Sequence, residues 1–296
     1  MTHARSKLIV IPDALKAFSS TREILSSRHG RLMHKVLHAD LRELEFVSSE
    51  TCICYLLKGR ERFFDADGTC TEVQAGELII IPPNVRLQSD FRCQDGPLEA
   101  MMIFLAPALV RDALARLGSG PEGELAGLET VPASQRLAAF MSGVAEVYGD
   151  LQVDADLVRL KLIELIMLLA VLHDRSKLAN TLAGSLSTQH HRSVAYVAKA
   201  FQDHDLHTAD LAALSGRSVP TFNREFRRIF GASPAQWRKQ RRLGQAKGLL
   251  ENTREAVTGI GLAVGYDSTS HFISEFKKQF GMTPGQFRAA IAAAGP

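Results

Sequence analysis

The chain has 296 residues, 46% of them hydrophobic and 23% charged, a composition typical of a soluble globular protein with room for two domains. No stretch approaches the roughly 20 uncharged apolar residues of a membrane span, and the first residues lack the pattern of a secretion signal. We therefore expect a cytoplasmic protein with no membrane partner. The net charge of +3 divides unevenly, because residues from Ser187 onward carry +7 and the preceding residues carry −4. This asymmetry predicts that the C-terminal part meets a polyanion.

The first predicted elements are β-strands between about residues 48 and 105. Short runs rich in β-branched and aromatic residues are separated there by turn signals at 58–59, 65–68 and 82–84. Several short strands at this spacing predict a small sandwich or barrel.

Four cysteines, Cys52, Cys54, Cys70 and Cys93, lie in the same region. They form no C-x-x-C pair and supply no closely grouped set of zinc ligands, so we predict no structural metal. We interpret them as reduced, buried thiols, with a redox role for Cys52 and Cys54 as the alternative.

Helical periodicity begins at Pro107. One short helix is predicted to end at Gly118, and two longer ones in "SQRLAAFMSGVAEVYGD" and "DADLVRLKLIELIMLLAVLHDRSKL". The last of these is apolar almost all round, so we expect it to pack on the β-domain and against a second subunit. Leu165 and Leu169 are expected in this homodimer interface, with a core position as the alternative. The small, polar segment 179–192 is predicted to be an interdomain linker.

Beyond the linker the chain contains nearly the same phrase twice. Phe222, Phe226, Phe230, Gly231 and Pro234 recur fifty residues later as Phe272, Phe276, Phe280, Gly281 and Pro284. Each copy predicts a short helix, a glycine turn, and a second helix capped by Ser218 or Asp267 that buries its phenylalanines on one face. This is the order of a helix-turn-helix, whose second helix can lie in a DNA major groove.

The opposite faces of the two second helices are polar. The first presents Pro220, Arg224, Arg227 and Arg228, and the second presents Ser270, Ser274, Lys277 and Lys278. Simple solvation explains one isolated basic face, but two matched faces in a half that carries +7 favour nucleic acid. A helix of about 17 residues, or roughly 25 Å, lies between them and would set the two about 34 Å apart, one turn of DNA.

Three pieces of this region, "LAALSGRSVPTFNREFRRIFGASPAQW", "RRLGQAKGLL" and "IGLAVGYDSTSHFISEFKKQFGMTPGQFR", carry a family resemblance. Through them the C-terminal hundred residues resemble the DNA-binding domain of the AraC/XylS family of bacterial transcription regulators. The resemblance implies promoter DNA and RNA polymerase as partners. It assigns base readout to Pro220, Thr221, Asn223 and Arg224, and to Thr269, Ser270, Ile273 and Ser274; Arg227, Arg228, Lys277 and Lys278 complete the predicted DNA-binding set. Gly261 departs from the family, which usually has alanine there, and glycine costs about 1 kcal/mol of helix stability.

The front domain resembles the cupin-like sensor domains of this family through "QAGELIIIPPNVRL". A metal-binding cupin has histidine where Leu87 stands, and residues 40–58 contain no histidine, so we predict neither metal nor cofactor. The motifs G-x-S-x-G, the P-loop and H-E-x-x-H are absent, so we predict no enzyme activity. In most relatives a small molecule binds inside the barrel. However, "LVRLKLIELIMLLA", "YLLKGRERFF" and "AGELIIIPP" also resemble the type III secretion activators of the family, which answer to protein partners.

These observations predict an α+β protein with three parts. Residues 1–178 form a cupin-like β-barrel with dimerisation helices, 179–192 a linker, and 193–296 an all-α DNA-binding domain of two helix-turn-helix motifs joined by a linker helix. The predicted function is that of a sequence-specific transcription regulator, expected to be an activator, that a small ligand or a regulatory protein controls through the front domain. A non-sequence-specific architectural DNA-binding protein is the alternative.

Overall fold

The structure is a computed structural model that describes residues 8–17, 19–93, 96–118, 128, 130–132, 134–149, 151–187, 192–202, 204 and 206–294. The chain divides into two compact units, Met1–Val219 and Pro220–Pro296. Residues 188–191 of the predicted linker lie outside the described residues.

The first unit contains two β-sheets. The five-stranded sheet has the order β1 (Ile9–Ile11), β4 (Leu41–Ser48), β9 (Arg86–Phe91), β6 (Arg60–Phe64) and β7 (Cys70–Gln74). The six-stranded sheet has the order β11 (Thr130–Pro132), β8 (Glu77–Ile81), β5 (Thr51–Lys58), β10 (Leu98–Leu105), β3 (Gly30–Leu37) and β2 (Ser20–Ser27). The α+β fold class is confirmed, but in the described part of the chain no ladder joins the two sheets, so they form a sandwich and not the closed barrel that we predicted.

The six-stranded sheet is buried on both faces. Along its central strand β10, Met101, Ile103 and Leu105 pack in one hydrophobic core, and Ala100, Met102 and Phe104 pack in a second core against the five-stranded sheet. Because successive side chains of a strand point to opposite faces, a sheet covered on both sides needs apolar residues at nearly every position. This requirement explains the unbroken apolar runs of β5 and β10.

One ion pair lies inside the sandwich. Lys35 Nζ of β3 lies 3.4 Å from Glu61 Oε2 of β6, and the hydroxyl of Ser89 donates to Glu61 Oε1 at 2.6 Å. Although burial disfavours the charged form of Lys35, the Glu61 carboxylate raises the pKa of its ammonium. The space beside the pair is about 20 Å³, room for about one water. The sandwich interior is therefore filled by its own side chains.

The cysteine prediction holds for two of the four residues. Cys52 and Cys54 are buried in β5, whereas Cys70 is exposed and Cys93 is half-buried, and all four thiols are free. Burial raises the pKa of Cys54 to about 12, and the pKa of Cys52 well above its usual value. Neither buried thiol is therefore disposed to ionise and react, which opposes the redox alternative. The expectation of burial is wrong for Cys70 because it begins the edge strand β7.

Helices cover the outer face of the six-stranded sheet. A 3₁₀ helix at Asp13–Ala17 follows β1, and the α-helices of the first unit are α1 (Pro107–Leu117), α2 (Gln135–Tyr148), α3 (Ala155–Leu172), α4 (Arg175–Ser187), α5 (Val194–Ala200) and α6 (Thr208–Leu214). The third predicted helix is in fact α3 followed by α4, because the backbone is extended at His173 and the Asp174 carboxylate accepts from the Lys177 N–H at 2.9 Å. Residues 179–187 of the predicted linker belong to α4, and Leu182 is fully buried.

The structure buries a different side of α3 from the one that we predicted. Leu165 and Leu169 are only 3% and 2% exposed and belong to the core, so their assignment to a dimer interface is wrong. Leu160 and Val171, by contrast, are 59% and 81% exposed. These two residues are eleven positions apart, which brings them to the same side of a helix.

The second unit is entirely helical in its described residues. It consists of α7 (Val219–Phe230, whose first residue closes the first unit), α8 (Pro234–Asn252), α9 (Val257–Ala263), α10 (Thr269–Phe280) and α11 (Pro284–Ala294). One core joins α8, α9 and α10, and its buried members are Leu243, Ala246, Leu250, Ile260, Val264, Tyr266, Phe272 and Phe276. The linking helix α8 has 19 residues, close to the predicted length.

Candidate nucleic-acid interface

Two aromatic stacks orient the two copies of the repeat. Phe222 and Phe226 of α7 are buried with ring centroids 5.5 Å apart, and Phe226 also contacts Phe230 at 4.5 Å and Trp237 of α8 at 5.7 Å. Rings at every fourth position share one side of a helix. The stack therefore fixes which side of α7 faces outward.

The second copy repeats this arrangement. Phe272 and Phe276 of α10 are buried with centroids 5.8 Å apart, and Phe276 contacts Phe280 at 4.6 Å and Phe287 of α11 at 5.8 Å. Phe287 thus takes the place of Trp237.

The repeat also extends into the helix that follows each copy. The side-chain oxygens of Ser233 and Thr283 each accept from the backbone N–H of the glutamine three residues later, Gln236 and Gln286, whose side chains bond back. This is a capping box at the start of both α8 and α11. The matching letters "SPAQW" and "TPGQF" signal this extension, whereas the predicted repeat ended at Pro284.

Eight of the twelve predicted DNA-binding residues are exposed and four are half-buried, and Ile273 packs against the core of the second unit. Arg224, Arg227 and Arg228 of α7 are exposed, as are Lys277 and Lys278 of α10. The remaining exposed members are Pro220, Ser270 and Ser274, and the half-buried members are Thr221, Asn223, Thr269 and Ile273. We call α7 and α10 the reading helices. The two outer faces match in position, and both carry a pair of cations near the helix end. They differ in chemistry at the middle of the helix, where α7 has Arg224 and α10 has Ser274.

His271 is a surface residue of α10 that the predicted DNA-binding set does not include. It lies in the first turn of the helix, is exposed, and its ring contacts Tyr266 edge-on with centroids 5.5 Å apart. The fifty-residue offset that pairs the phenylalanines also pairs His271 with Thr221, so the sequence contained the signal.

Polar contacts hold α10 against α8. Lys239 of α8 forms an ion pair with Glu275 of α10, and the ammonium lowers the pKa of that carboxyl. Arg242 of α8 donates to the backbone oxygen of Gly265, in the turn between α9 and α10, at 3.2 Å. These bonds tie the second reading helix and its turn to the linking helix.

The start of α10 corrects one predicted cap. The helix begins at Thr269, and the hydroxyl of Ser268 accepts from the His271 N–H at 3.3 Å, so Ser268 and not Asp267 is the N-cap. Both residue types cap helices well, and only the position of the first helical turn separates them. Ser218 directly precedes α7, which is the position of an N-cap, and its capping role stays a prediction.

Gly261 has a packing reason to be glycine. It is buried in α9, and a Cβ atom there would lie 3.0 Å from Cδ1 and 3.2 Å from Cγ of Phe272. The Phe272 ring is itself held between Tyr266 and Phe276, at centroid distances of 5.4 and 5.8 Å. The missing side chain lets α10 approach α9 closely.

Two comparisons of sequence agree with this geometry. Residues 211–290 match the family described as "Helix-turn-helix domain", and residues 51–181 match the family described as "ExsA N-terminal regulatory domain". Together the two matches cover more than two thirds of the chain. The chain belongs to the AraC/XylS family of transcription regulators, in the subgroup of ExsA.

Individual relatives of this AraC-type chain cover different parts of it. The HTH-type transcriptional regulator ExsA of Pseudomonas aeruginosa is 26% identical over 265 residues, 88% of this chain and 94% of that protein. The arabinose operon regulatory protein of Escherichia coli is 34% identical over 94 residues, about a third of each chain. Among solved structures, the DNA-binding domain of AdpA in complex with a target DNA is 32% identical and covers 35% of this chain and 96% of that one, with a TM-score of 0.33.

Two further properties of the described residues bear on this AraC-type regulator. None of its described helices is long and apolar enough to cross a membrane. Within the same residues, no three His, Cys, Asp or Glu side chains are grouped so that they could hold a metal ion.

Proposed function

We propose that this chain is a sequence-specific transcription activator, without enzyme activity, that inserts its two reading helices into successive major grooves of promoter DNA. It acts in the cytoplasm, with RNA polymerase as its partner on the promoter. The observation that carries the proposal is the paired aromatic stack, which directs two matched polar faces outward within the basic part of the chain. Solvation alone gives no reason for the match between the two faces.

The chemistry of the two faces supports unequal roles. Arg224 and Asn223 lie in the middle of α7, and arginine and asparagine are the side chains that bond guanine and adenine edges in pairs. Arg227, Arg228, Lys277 and Lys278 lie in the last turns of their helices, where cations suit phosphate contacts. We assign base readout to Pro220, Thr221, Asn223 and Arg224, with a smaller contribution from Thr269, Ser270, Ile273 and Ser274.

The length of α8 is consistent with both reading helices binding on the same side of the DNA duplex. Its 19 residues span about 28 Å at about 1.5 Å per residue. With the width of the two motifs this suits reading helices one DNA turn, about 34 Å, apart.

We propose that the first unit dimerises through α3 and receives the regulatory signal. Leu160 and Val171 are exposed apolar residues on the side of α3 away from its buried residues, with the exposed Glu164 between them. The controlling partner is a small ligand or a regulatory protein. The filled interior of the sandwich supports a protein partner, or a ligand that binds elsewhere than between the sheets. We assign residues 1–187, which include α4, to the regulatory domain and residues 193–296 to the DNA-binding domain.

Selection and binding experiments test sequence specificity. Duplexes that the full-length protein retains from a random library are sequenced, and affinity is then measured on the selected sequence and on a scrambled version at one salt concentration. We expect a recurring sequence that binds about 10³-fold or more tightly than its scrambled version. Equal affinities would instead identify an architectural DNA-binding protein, because phosphate contacts alone carry no sequence information.

A further inference from the structure

The two reading helices match each other position by position. From Phe222 to Phe230 and from Phe272 to Phe280, buried, half-buried and exposed side chains follow one another in the same order. The aromatic stacks are also alike, with neighbouring ring centroids 5.5 and 4.5 Å apart in α7 and 5.8 and 4.6 Å apart in α10. Residues fifty positions apart therefore hold equivalent places on the two surfaces, and a difference between them is a difference of chemistry.

Positive charge is distributed differently on the two outer faces. Each helix ends with a pair of exposed cations, and α7 adds a third, Arg224, where α10 has Ser274. One turn before Ser274, however, α10 carries the exposed His271, at the place of Thr221 in α7. Histidine is the side chain that gains a proton between about pH 8 and pH 5. A protonated His271 would therefore give α10 three outward cations, as many as α7 has.

The ring of His271 lies on one flank of the outer face of α10. It contacts the ring of Tyr266 edge-on, with centroids 5.5 Å apart, and Tyr266 belongs to the turn that precedes the helix. At about 100° per residue, His271 stands about 60° around the helix from Ser274 and about 20° from Lys278, so His271 and Lys278 form one line along α10. A helix that lies in a major groove turns its flanks toward the groove walls, which carry the phosphates.

The ring nitrogens of His271 are not used inside the protein. Within the described part of the chain no hydrogen bond engages them, whereas the backbone N–H donates to the Ser268 hydroxyl at 3.3 Å. Glu275, one turn later, attracts a charged ring, although its carboxylate also pairs with Lys239 of α8. Tyr266 is uncharged near neutral pH, because burial raises the pKa of its hydroxyl. The neighbouring segments also carry the charges of Asp267 in the turn, Arg242 on α8 and Lys278 on α10. The donors of a protonated ring are therefore available to a partner outside the protein.

We propose that His271 contacts a DNA phosphate only while its ring is protonated, so that DNA binding by this protein strengthens as pH falls. The protonated ring offers a phosphate oxygen two donors and a positive charge, whereas the neutral ring offers one donor and no charge. Affinity rises as pH falls wherever the bound state holds more protons than the free state. A phosphate contact carries no sequence information, so the effect is the same on every sequence. The contact rests on the proposed function, because α10 must meet DNA for it to form.

Titrations of the full-length protein with a random-sequence duplex at about pH 6 and about pH 8, over a series of salt concentrations, test the contact. At the lower pH we expect binding up to about tenfold tighter in about 0.1 M salt, and a slope of log affinity against log salt that is steeper by about 0.9. His271→Gln should remove most of both differences. His271→Arg should keep the tighter binding and the steeper slope at both pH values. His38→Gln, which changes an exposed histidine of the first unit, should behave as the wild type does.

The possible results separate this contact from the proposed function. Equal pH dependence in the wild type and in His271→Gln would overturn the contact and leave the proposed function intact. A pH effect confined to the selected sequence would place His271 on a base and contradict the phosphate contact. A wild-type protein that binds no duplex would contradict the proposed function itself.

Proton uptake on DNA binding replaces His271→Gln if circular dichroism shows that this variant does not fold. Calorimetric titrations in two buffers of different ionisation enthalpy measure this uptake near pH 7. The wild type should take up more protons than His271→Arg, whose side chain is already charged. Equal uptake by the two proteins would contradict the proposal.

Discussion

Arg224 and Ser274 occupy equivalent positions on the two reading helices, and both are exposed. The arginine fork can bond two acceptors on guanine, whereas serine offers a single short hydroxyl. We predict that Arg224→Ala weakens binding to the selected DNA sequence by about 1–3 kcal/mol and weakens binding to random DNA much less. Ser274→Ala is the matched control and should change either affinity little. Titrations of both variants on both duplexes measure the difference.

Lys277 and Lys278 give the complementary control. Changing both to alanine should weaken all sequences alike and reduce the slope of log affinity against log salt by about two units at most. Equal losses on both duplexes for Arg224→Ala, or a large loss of specificity for Ser274→Ala, would show that the reading role belongs to the other helix.

Gly261 provides a test of packing at a single position. A methyl group there gains about 1 kcal/mol of helix propensity, but it would press on the confined Phe272 ring, and overpacking costs about 1–3 kcal/mol. We predict that Gly261→Ala lowers the free energy of unfolding of the second unit by about 1 kcal/mol. Trp237 is the only tryptophan of the chain and lies in that unit, so its fluorescence in urea reports the transition.

The neighbouring Gly259 is the control for this effect. It lies in the same helix, is exposed, and a Cβ atom there would meet nothing within 4 Å. Gly259→Ala should therefore stabilise the unit by up to about 1 kcal/mol. Stabilisation by Gly261→Ala of the same size would show that the ring moves aside at no cost.

Among the elements, α3 has a buried apolar side and an exposed side that also carries Leu160 and Val171. We predict that Leu160→Glu with Val171→Glu yields a folded monomer, because both residues are exposed and a charge there opposes only a subunit contact. Leu165→Glu, by contrast, places a charge in the core and should destabilise the fold by several kcal/mol. Light scattering with circular dichroism separates the two results. A double variant that remains dimeric would move the interface to another element.

How well the sequence predicted an element depended on how that element is buried. The helices around the aromatic stacks were predicted because three phenylalanines at every fourth position leave one interpretation. Strands β2, β3 and β4 were missed because "STREILSS" and "LRELEFVS" mix charged and apolar residues without the regular alternation that marks a half-buried strand. The inner and outer sides of α3 could not be separated either. Its residues are apolar in nearly every direction, and only the position of the sheet decides which of them are buried.

At the scale of the whole molecule, the extent of the DNA-binding domain can be tested with two fragments. A fragment of residues 193–296 keeps all five helices from α6 to α10, the linking helix included, and both aromatic stacks. We predict that it folds and binds the selected DNA sequence without the front domain. A fragment of residues 220–296 lacks α6, the first helix of the first motif, and should lose most of that affinity. Binding titrations of both fragments against the full chain make the comparison.

The alternative result is informative in its own right. Within the first unit, the Asn84 side chain donates to the backbone oxygen of Leu214 in α6 at 3.1 Å, and Arg192 donates to that of Ser49 at 2.7 Å. If the fragment of residues 193–296 is soluble and helical yet shows no sequence preference, then α6 needs these contacts to hold its position. The domain boundary at 193 would then be wrong.

The unlike chemistry of the two reading helices also has a consequence for genome organisation. Because a strong reader is followed by a weak one, the bound protein has two unlike ends along the duplex. In an alignment of bound promoters, the base pairs in the groove that α7 reads should therefore be strongly conserved. The base pairs one helical turn away, which α10 reads, should vary. That polarity would fix which end of the bound protein faces the transcription start, so that inverting the site would silence the gene without loss of affinity.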